Sequence, residues 1–128
     1  MPPERRSTGL DERQTIALRH MRDAAAKAIA FTRGRSRADL DTDELLGLAV
    51  VRLLEIVGEA ARRVLPETKA LAPEVPWRQI AGTRDRLIHG YDDVDQDIVW
   101  TIVTRELGPL VDALDRLIRG GAQNRSGD

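Results

Sequence analysis

The chain has 128 residues, of which 41% are hydrophobic and 32% are charged, and its net charge is −1. This length and balance predict one globular domain, and the absence of cysteine excludes disulfides, thiol nucleophiles and thiolate metal sites. No apolar run is long enough for a membrane span or resembles a secretion signal, so we expect a cytoplasmic protein without a membrane anchor.

Positive and negative charges are unevenly distributed along the chain. Through Arg37 there are nine Lys or Arg residues against four Asp or Glu residues, whereas the remainder has eleven against seventeen. This basic segment could lie along a phosphate backbone, or it could pair with the acidic remainder of the same or a second subunit. We favour the pairing, because a general nucleic-acid coat protein would be more basic overall.

The two ends of the chain are rich in Gly, Ser, Pro and Arg and show no apolar periodicity. We therefore predict disordered tails at residues 1–9 and 120–128, flanking a helical domain at residues 10–119. A first helix is predicted from Asp11 to Thr32. Its apolar positions recur near helical spacing, at Ile16, Met21 or Ala24, Ala28 and Phe31.

A second helix is predicted from the acidic cluster at residues 41–44, after a polar loop at residues 35–40, to Leu65, where Pro66 stops it. Its sequence is apolar on nearly every face. Such a helix must be covered on more than one side, and in so small a domain a second subunit is a natural cover. We therefore expect a homodimer whose interface includes this helix and the last one.

The prolines at residues 66–76 predict a loop with room for one helical turn, and Pro76 then opens a third helix that extends to His89-Gly90. A final helix is expected from the capping residue Asp95, with a kink at Gly108-Pro109. No alternating pattern of strand length is present. The predicted fold class is all-α, an antiparallel bundle of four to five helices.

One short segment of the third helix holds side chains that can perform acid–base chemistry. If the helix continues, Arg84 and Tyr91 point the same way, and Asp85 and His89 are neighbours one turn apart. A carboxylate there can orient the imidazole, which titrates near neutral pH, beside a guanidinium that binds phosphate. Cleavage of RNA without a metal needs a base, an acid and cationic donors, and these side chains can serve in such roles.

The same residues are also compatible with a solvated helix face, a helix C-cap at His89 and a packed tyrosine, and spacing alone favours this structural interpretation. Arg86 is equally compatible with a contact to an RNA phosphate and with surface decoration, that is, a solvated surface position without a function. Glu59 could reach the cleft, but an ion pair with Arg62 or Arg63 is preferred. His20 is assigned to the surface.

No spacing typical of a zinc site and no glycine-rich phosphate loop is present, so we expect neither a metal nor a cofactor.

The spacing Arg84-x4-His89-x-Tyr91 resembles the R-x4-H-x-Y signature of the HEPN superfamily. Asp85 stands where relatives often have asparagine, which could alter how the histidine is held. Further blocks resemble the HepT branch, in the same order along residues 10–117. They are Ile56-Val57-Gly58-Glu59-Ala60-Ala61, Val75-Pro76-Trp77-Arg78-Gln79-Ile80-Ala81-Gly82 and Tyr91-x2-Val94-Asp95-x2-Ile98-Val99-Trp100.

This resemblance implies a homodimer that brings two motifs to one cleft and cleaves RNA without a metal, leaving a cyclic phosphate. Arg84, Asp85, His89 and Tyr91 are the implied catalytic residues. Relatives act as toxins of type VII-like toxin–antitoxin pairs, with an MntA-like nucleotidyltransferase antitoxin that adenylylates the motif tyrosine, here Tyr91. The alternative is a non-catalytic helical partner of such a nucleotidyltransferase.

Overall fold

The structure is a computed structural model that describes residues 10–89 and 93–126. It is an all-α bundle, as the sequence predicted. Two small extended segments are the exception among the described residues. The predicted N-terminal tail, residues 1–9, lies outside the described residues. The long first helix packs against the second long helix and against the last one, and these two contacts enclose much of the core.

Helix α1 spans Glu12–Thr32, within one residue of the prediction. The carboxylate of Asp11 caps it by accepting from the backbone N–H of Gln14 at 2.9 Å. Ile16 and Phe31 were expected on its apolar face, but they are 48% and 44% exposed. The buried stripe instead follows small and medium side chains at the spacing of a helix. It consists of Gln14, Thr15, Ala17, Leu18, Met21, Ala24, Ala25, Ala28 and Thr32.

The segment predicted as a polar loop contains a short helix, α2, at Asp39–Thr42. Arg35 bridges the carboxylates of Asp39 and Asp43 at 3.3 and 2.7 Å, and Asp43 also caps the next helix by accepting from Leu46 N–H. The hydrogen bond from Arg35 lowers the pKa of Asp43, and the backbone N–H of Ser36 lowers that of Asp39. These bonds fix the start of the second long helix.

Helix α3 spans Glu44–Ala61 and ends four residues before the predicted stop at Leu65. The reason is the buried Gln14 of α1, which accepts from Leu65 N–H at 2.8 Å and donates to the carbonyl of Arg63 at 3.2 Å. A side chain thus replaces the helical partners of these backbone groups. The single helical turn expected in the following loop is α4, Pro66–Lys69.

The predicted third helix is instead two short helices, α5 at Trp77–Ala81 and α6 at Thr83–Leu87, separated by Gly82. The chain then becomes extended. A two-residue strand β1, Ile88–His89, pairs antiparallel with β2, Asp93–Val94, with Ile88 opposite Val94 and His89 opposite Asp93. The helix that was expected to reach His89 therefore ends at Leu87.

The last helix has three parts: α7 at Gln96–Thr101, a π-helical turn at Ile102–Glu106, and α8 at Leu107–Ser126. Asp95 caps α7 as expected, accepting from two N–H groups at 3.0 and 3.2 Å. Helix α8 runs through Gly108-Pro109, where a kink was predicted, and the irregularity that the structure has is the π turn at Ile102–Glu106, before the proline.

The helix also continues past Gly120, which the composition had placed in a disordered tail. Gly121 is buried against Leu10, whose side chain would lie 3.1 Å from a Cβ at that position. The missing side chain at Gly121 therefore allows the two ends of the domain to pack closely.

Five ion pairs among the described residues join the basic segment through Arg37 to the acidic remainder, and two of them reach the last helix. Arg22 contacts Asp115 at 3.1 Å, and Arg37 contacts Asp97 at 2.7 Å. The preferred explanation of the charge asymmetry is therefore confirmed for these residues. In the part of the chain that the structure describes, no helix is long and apolar enough to cross a membrane.

Candidate active site

The candidate site is built on the break between α5 and α6. Ending a helix leaves carbonyl groups without their usual partners, and here side chains satisfy two of them. Thr83 Oγ1 donates to the carbonyl of Ile80 at 2.6 Å, and Arg62 Nε donates to the carbonyl of Ala81 at 3.0 Å. The break is therefore a corner in which side chains bond two of the carbonyl groups, and these bonds help to hold α6 in place.

This corner lies against helix α3 at Gly58. A Cβ at Gly58 would lie 3.1 Å from the carbonyl oxygen of Ile80 and 3.4 Å from the Cβ of Thr83. No larger residue fits there without moving the backbone of one element. Gly58 thus lets the scaffold helix and the start of α6 approach each other closely.

The faces of α6 separate structural from accessible side chains. Thr83 and Leu87 are buried against the core, whereas Arg84 and Asp85 are exposed. Arg84 forms no ion pair within residues 10–89 and 93–126. Its guanidinium is therefore available to an anionic ligand.

The extended backbone after α6 changes the predicted geometry of the motif. Ile88 has φ −102° and ψ 124°, so the helical spacing proposed for Asp85 and His89 does not hold. The proposed alignment of Arg84 with Tyr91 involves a residue outside the described part of the chain and stays a prediction. The structure places the His89 backbone in β1, but the side chain of His89 and all of Tyr91 lie outside the described residues.

The exit from the motif segment is bonded to the last helix. The N–H of Asp95, the residue after β2, donates to the carbonyl of Leu87, the residue before β1, at 2.7 Å. Because Asp95 also caps α7, the end of α6 and the start of α7 share one anchoring residue. The His89 backbone is therefore held between two fixed helix ends.

Arg86 lies two residues after the motif arginine Arg84, and it is not a free surface cation. Its two terminal nitrogens donate to the two carboxylate oxygens of Glu106 at 3.0 and 2.9 Å, and both side chains are about half-buried. Glu106 raises the pKa of Arg86. Surface decoration is therefore wrong for Arg86, and a phosphate contact would have to compete with this two-point ion pair.

The Gln79 side-chain amide adds to the same contact. With its oxygen facing Arg86, it accepts from both terminal nitrogens at 3.2 and 3.3 Å. A cavity of about 480 Å³ lies beside the pair. Its walls include Gln79, Thr83 and Glu106.

The remaining sequence candidates lie elsewhere. Glu59 pairs with Arg52 at 3.3 Å, both are exposed, and Arg62 is engaged with Ala81, so the expected pairing of Glu59 with Arg62 or Arg63 is wrong. His20 is exposed on α1, as expected. Among the side chains that the structure describes, no three His, Cys, Asp or Glu residues lie close enough together to hold a metal ion.

Three contributors to this site carried no sequence signal as partners: Arg62, Gln79 and Glu106. Each lies outside α6, and between seven and twenty positions of the chain separate it from its partner. Helical periodicity reports residues on one element and cannot predict such contacts. The described arrangement is an exposed guanidinium and carboxylate, rigidly seated next to a strand that carries the only histidine of the motif.

Comparison with known proteins identifies the family of the chain. The family model described as "Ribonuclease HepT-like" matches residues 21–117. A protein of Thermococcus cleftensis named "Probable ribonuclease HepT" is 39% identical over 87 residues, which cover 68% of this chain and 79% of the relative. A "Putative RNase" of Caldanaerobacter subterraneus subsp. tengcongensis is 38% identical over 93 residues, covering 73% and 83% of the two chains. No solved structure matches the chain.

The family match includes α3, the corner at Gly82, the whole segment from Arg84 to Tyr91 and most of the last helix. On this evidence, the chain belongs to the ribonuclease HepT-like family of the HEPN superfamily.

Proposed function

We propose that the protein is a HEPN ribonuclease that cleaves RNA without a metal ion and acts as the toxin of a toxin–antitoxin pair. The observation that carries the proposal is the match to the ribonuclease HepT-like family across the entire Arg84–Tyr91 segment. The exposed Arg84 on α6 supports it, because an exposed guanidinium is suited to two-point binding of a phosphate.

In the proposed mechanism, the imidazole of His89 performs one of two proton transfers, either removal of the proton from the attacking ribose 2′-hydroxyl or donation of a proton to the leaving 5′-oxygen, and water performs the other. Arg84 stabilises the charge on the phosphorus oxygens, and the Tyr91 hydroxyl contributes a hydrogen bond. Asp85 orients the imidazole in this proposal, across the bend at Ile88 and not along one turn of a helix. Attack by the 2′-hydroxyl expels the 5′-oxygen and leaves a cyclic phosphate.

We further propose that the active form is a homodimer with two motifs in one cleft. Helix α3 supports this, because Leu45 and Leu48, one turn apart, are 81% and 65% exposed. Exposed leucines in one row are suited to cover by a second subunit. Light scattering at micromolar concentration is expected to give twice the chain mass. A monomer that retains full activity would contradict the composite cleft.

Neutralisation is proposed to follow from adenylylation of Tyr91 by a cognate MntA-like nucleotidyltransferase. A bulky anion there would fill the cleft and oppose phosphate binding. Because Tyr91 is the only tyrosine, any tyrosine-linked AMP must be on it. With the nucleotidyltransferase, ATP and Mg²⁺, the wild-type chain should gain mass in AMP-sized steps and Tyr91→Phe should gain none. Modification of a serine or threonine instead would overturn this assignment.

The rival function is a non-catalytic partner of the nucleotidyltransferase, which shares the fold but not the activity. Incubation of purified protein with labelled RNA in EDTA separates the two. A ribonuclease of the proposed kind cleaves under these conditions and produces cyclic phosphate ends. If RNA stays intact while Tyr91 is still adenylylated, the non-catalytic function is the correct one.

A further inference from the structure

The π turn at Ile102–Glu106 decides where Glu106 lies. In an uninterrupted α-helix, position 106 would follow Val99 and Val103 into the core, since the spacing is four and then three residues. The structure instead has the N–H of Leu107 bonded to the carbonyl of Ile102, five residues back, and Leu107 takes the core position. The inserted residue turns Glu106 to the flank of the helix.

At that flank Glu106 meets Arg86 of the motif helix. The contact is bidentate, at 3.0 and 2.9 Å, and joins residues twenty positions apart in the chain. The exposed fractions of the Arg86 and Glu106 side chains are 27% and 32%. A half-buried, two-point guanidinium–carboxylate pair fixes the relative orientation of the elements that carry it.

Arg86 lies at a position in α6 from which its contact with Glu106 can affect the orientation of the helix. Arg86 lies between the exposed Arg84 and the strand residue His89, in a helix of five residues that cannot be stable alone. The N-terminal end of α6 is held by the corner at Gly82, and the exit is held by Asp95. Between these two ends, the Arg86 side chain is bonded to the last helix.

We propose that Glu106 is a positioning residue of the candidate ribonuclease site: through Arg86 it sets the orientation of α6, and with it the approach of Arg84 and His89 to the same phosphate. This inference rests on the proposed function and adds a residue outside the R-x4-H-x-Y signature. Glu106 does not contact RNA. π turns interrupt helices at a cost, and they are found preferentially at functional sites.

The test compares Glu106→Gln with wild type in single-turnover cleavage at saturating RNA, together with RNA affinity. Glutamine keeps the size of the side chain but removes the charge. We expect the cleavage rate to fall between about tenfold and 100-fold, because small misplacements of reacting groups have effects of this size. RNA affinity should stay within about twofold, since Arg84 remains exposed.

The matched control is Glu74→Gln. Glu74 also lies at the edge of the cavity and pairs with an arginine, Arg116, at 3.3 Å, but among the described residues no hydrogen bond or ion pair joins it to α6. This variant should cleave RNA at the wild-type rate. Arg86→Gln should reproduce the effect of Glu106→Gln, and the double variant should lose no more than either single variant, because the two residues act as one unit.

Three results would overturn the proposal. They are an unchanged rate for Glu106→Gln, losses that multiply in the double variant, or a loss that appears in RNA affinity alone. The last outcome would make Arg86 an RNA contact. Hydrogen exchange of the peptide covering residues 83–89 gives a readout that does not need activity. Glu106→Gln should raise exchange there and Glu74→Gln should not, even if the wild-type chain proves inactive and the proposed function fails.

Discussion

Gly58→Ala tests whether the contact between α3 and the corner at Gly82 holds the site in place. In a helix interior, alanine is ordinarily more stabilising than glycine by roughly 0.5–1 kcal/mol. Here the new methyl group would lie 3.1 Å from the Ile80 carbonyl oxygen and 3.4 Å from the Thr83 Cβ. Both atoms belong to the bonded corner, so the backbone of α5 or α3 has to shift. Overpacking of this kind costs about 1–3 kcal/mol.

The expected net effect is a loss of about 1 kcal/mol, because the packing cost exceeds the gain in helix propensity. For a chain of this size, this loss lowers the Tm by roughly 3–5 °C. RNA cleavage should fall more than the stability suggests, since α6 starts at the displaced corner. Gly120→Ala is the matched control, because Gly120 is also helical and a Cβ there meets nothing within 4 Å.

Gly120→Ala should leave activity unchanged and raise the stability by up to about 1 kcal/mol. Differential scanning calorimetry and cleavage assays of both variants give the comparison. A Gly58→Ala protein that is as stable and as active as the Gly120→Ala protein would refute the argument that the close approach at Gly58 positions the motif.

Three further predictions concern single side chains. Trp77→Phe should lower the free energy of unfolding in urea by roughly 2 kcal/mol, because Trp77 Nε1 donates to the buried Ala72 carbonyl at 3.0 Å and no other group would replace it. Asp43 has a lowered pKa in the folded state, so its carboxylate stabilises the fold above its unfolded pKa of about 3.9 and loses this contribution as the pH falls through the folded value. The stability difference between wild type and Asp43→Asn should therefore be greatest near pH 6 and shrink below pH 4 in thermal melts; a constant difference would exclude the carboxylate charge as its cause. Arg84→Lys should keep the wild-type Tm but lose about one to two decades of cleavage rate, since an ammonium cannot bind two phosphate oxygens at once; full activity would remove the two-point contact from the mechanism.

Much of the helical layout could be predicted from the sequence because its signals are local. The cap at Asp11, the acidic start at Asp43, the single turn after Leu65 and the cap at Asp95 are all read from neighbouring residues. The fold class follows from these elements, since an all-α chain of this size packs as a bundle.

The rest depends on contacts between elements, which no local pattern reports. Gln14 ends α3 early from a position about fifty residues away, and Gly58 accommodates a corner that the sequence had taken for continuous helix. The helix was extended to His89 because Leu87 and Ile88 continue its apolar pattern, although the pairing of Ile88 with Val94 makes the chain extended. The pairing of Arg86 with Glu106 could not be predicted either, because it joins two separate elements.

The candidate site is marked along the chain by the family signature alone, and its location stays a prediction. The structure adds the exposure of Arg84 and Asp85 and the support beneath them. The catalytic roles of Arg84, Asp85, His89 and Tyr91 stay predictions, as does the adenylylation of Tyr91.

The central claim is that His89 performs acid–base chemistry in RNA cleavage, and the two histidines of the chain allow a direct test. Single-turnover cleavage of labelled RNA in EDTA is measured for wild type, His89→Ala and His20→Ala. His20 is exposed on α1, outside the motif, so its variant controls for the loss of an imidazole. We predict that wild type and His20→Ala cleave equally and that His89→Ala, folded to the same extent by circular dichroism, does not cleave. Equal cleavage by all three proteins would contradict the account.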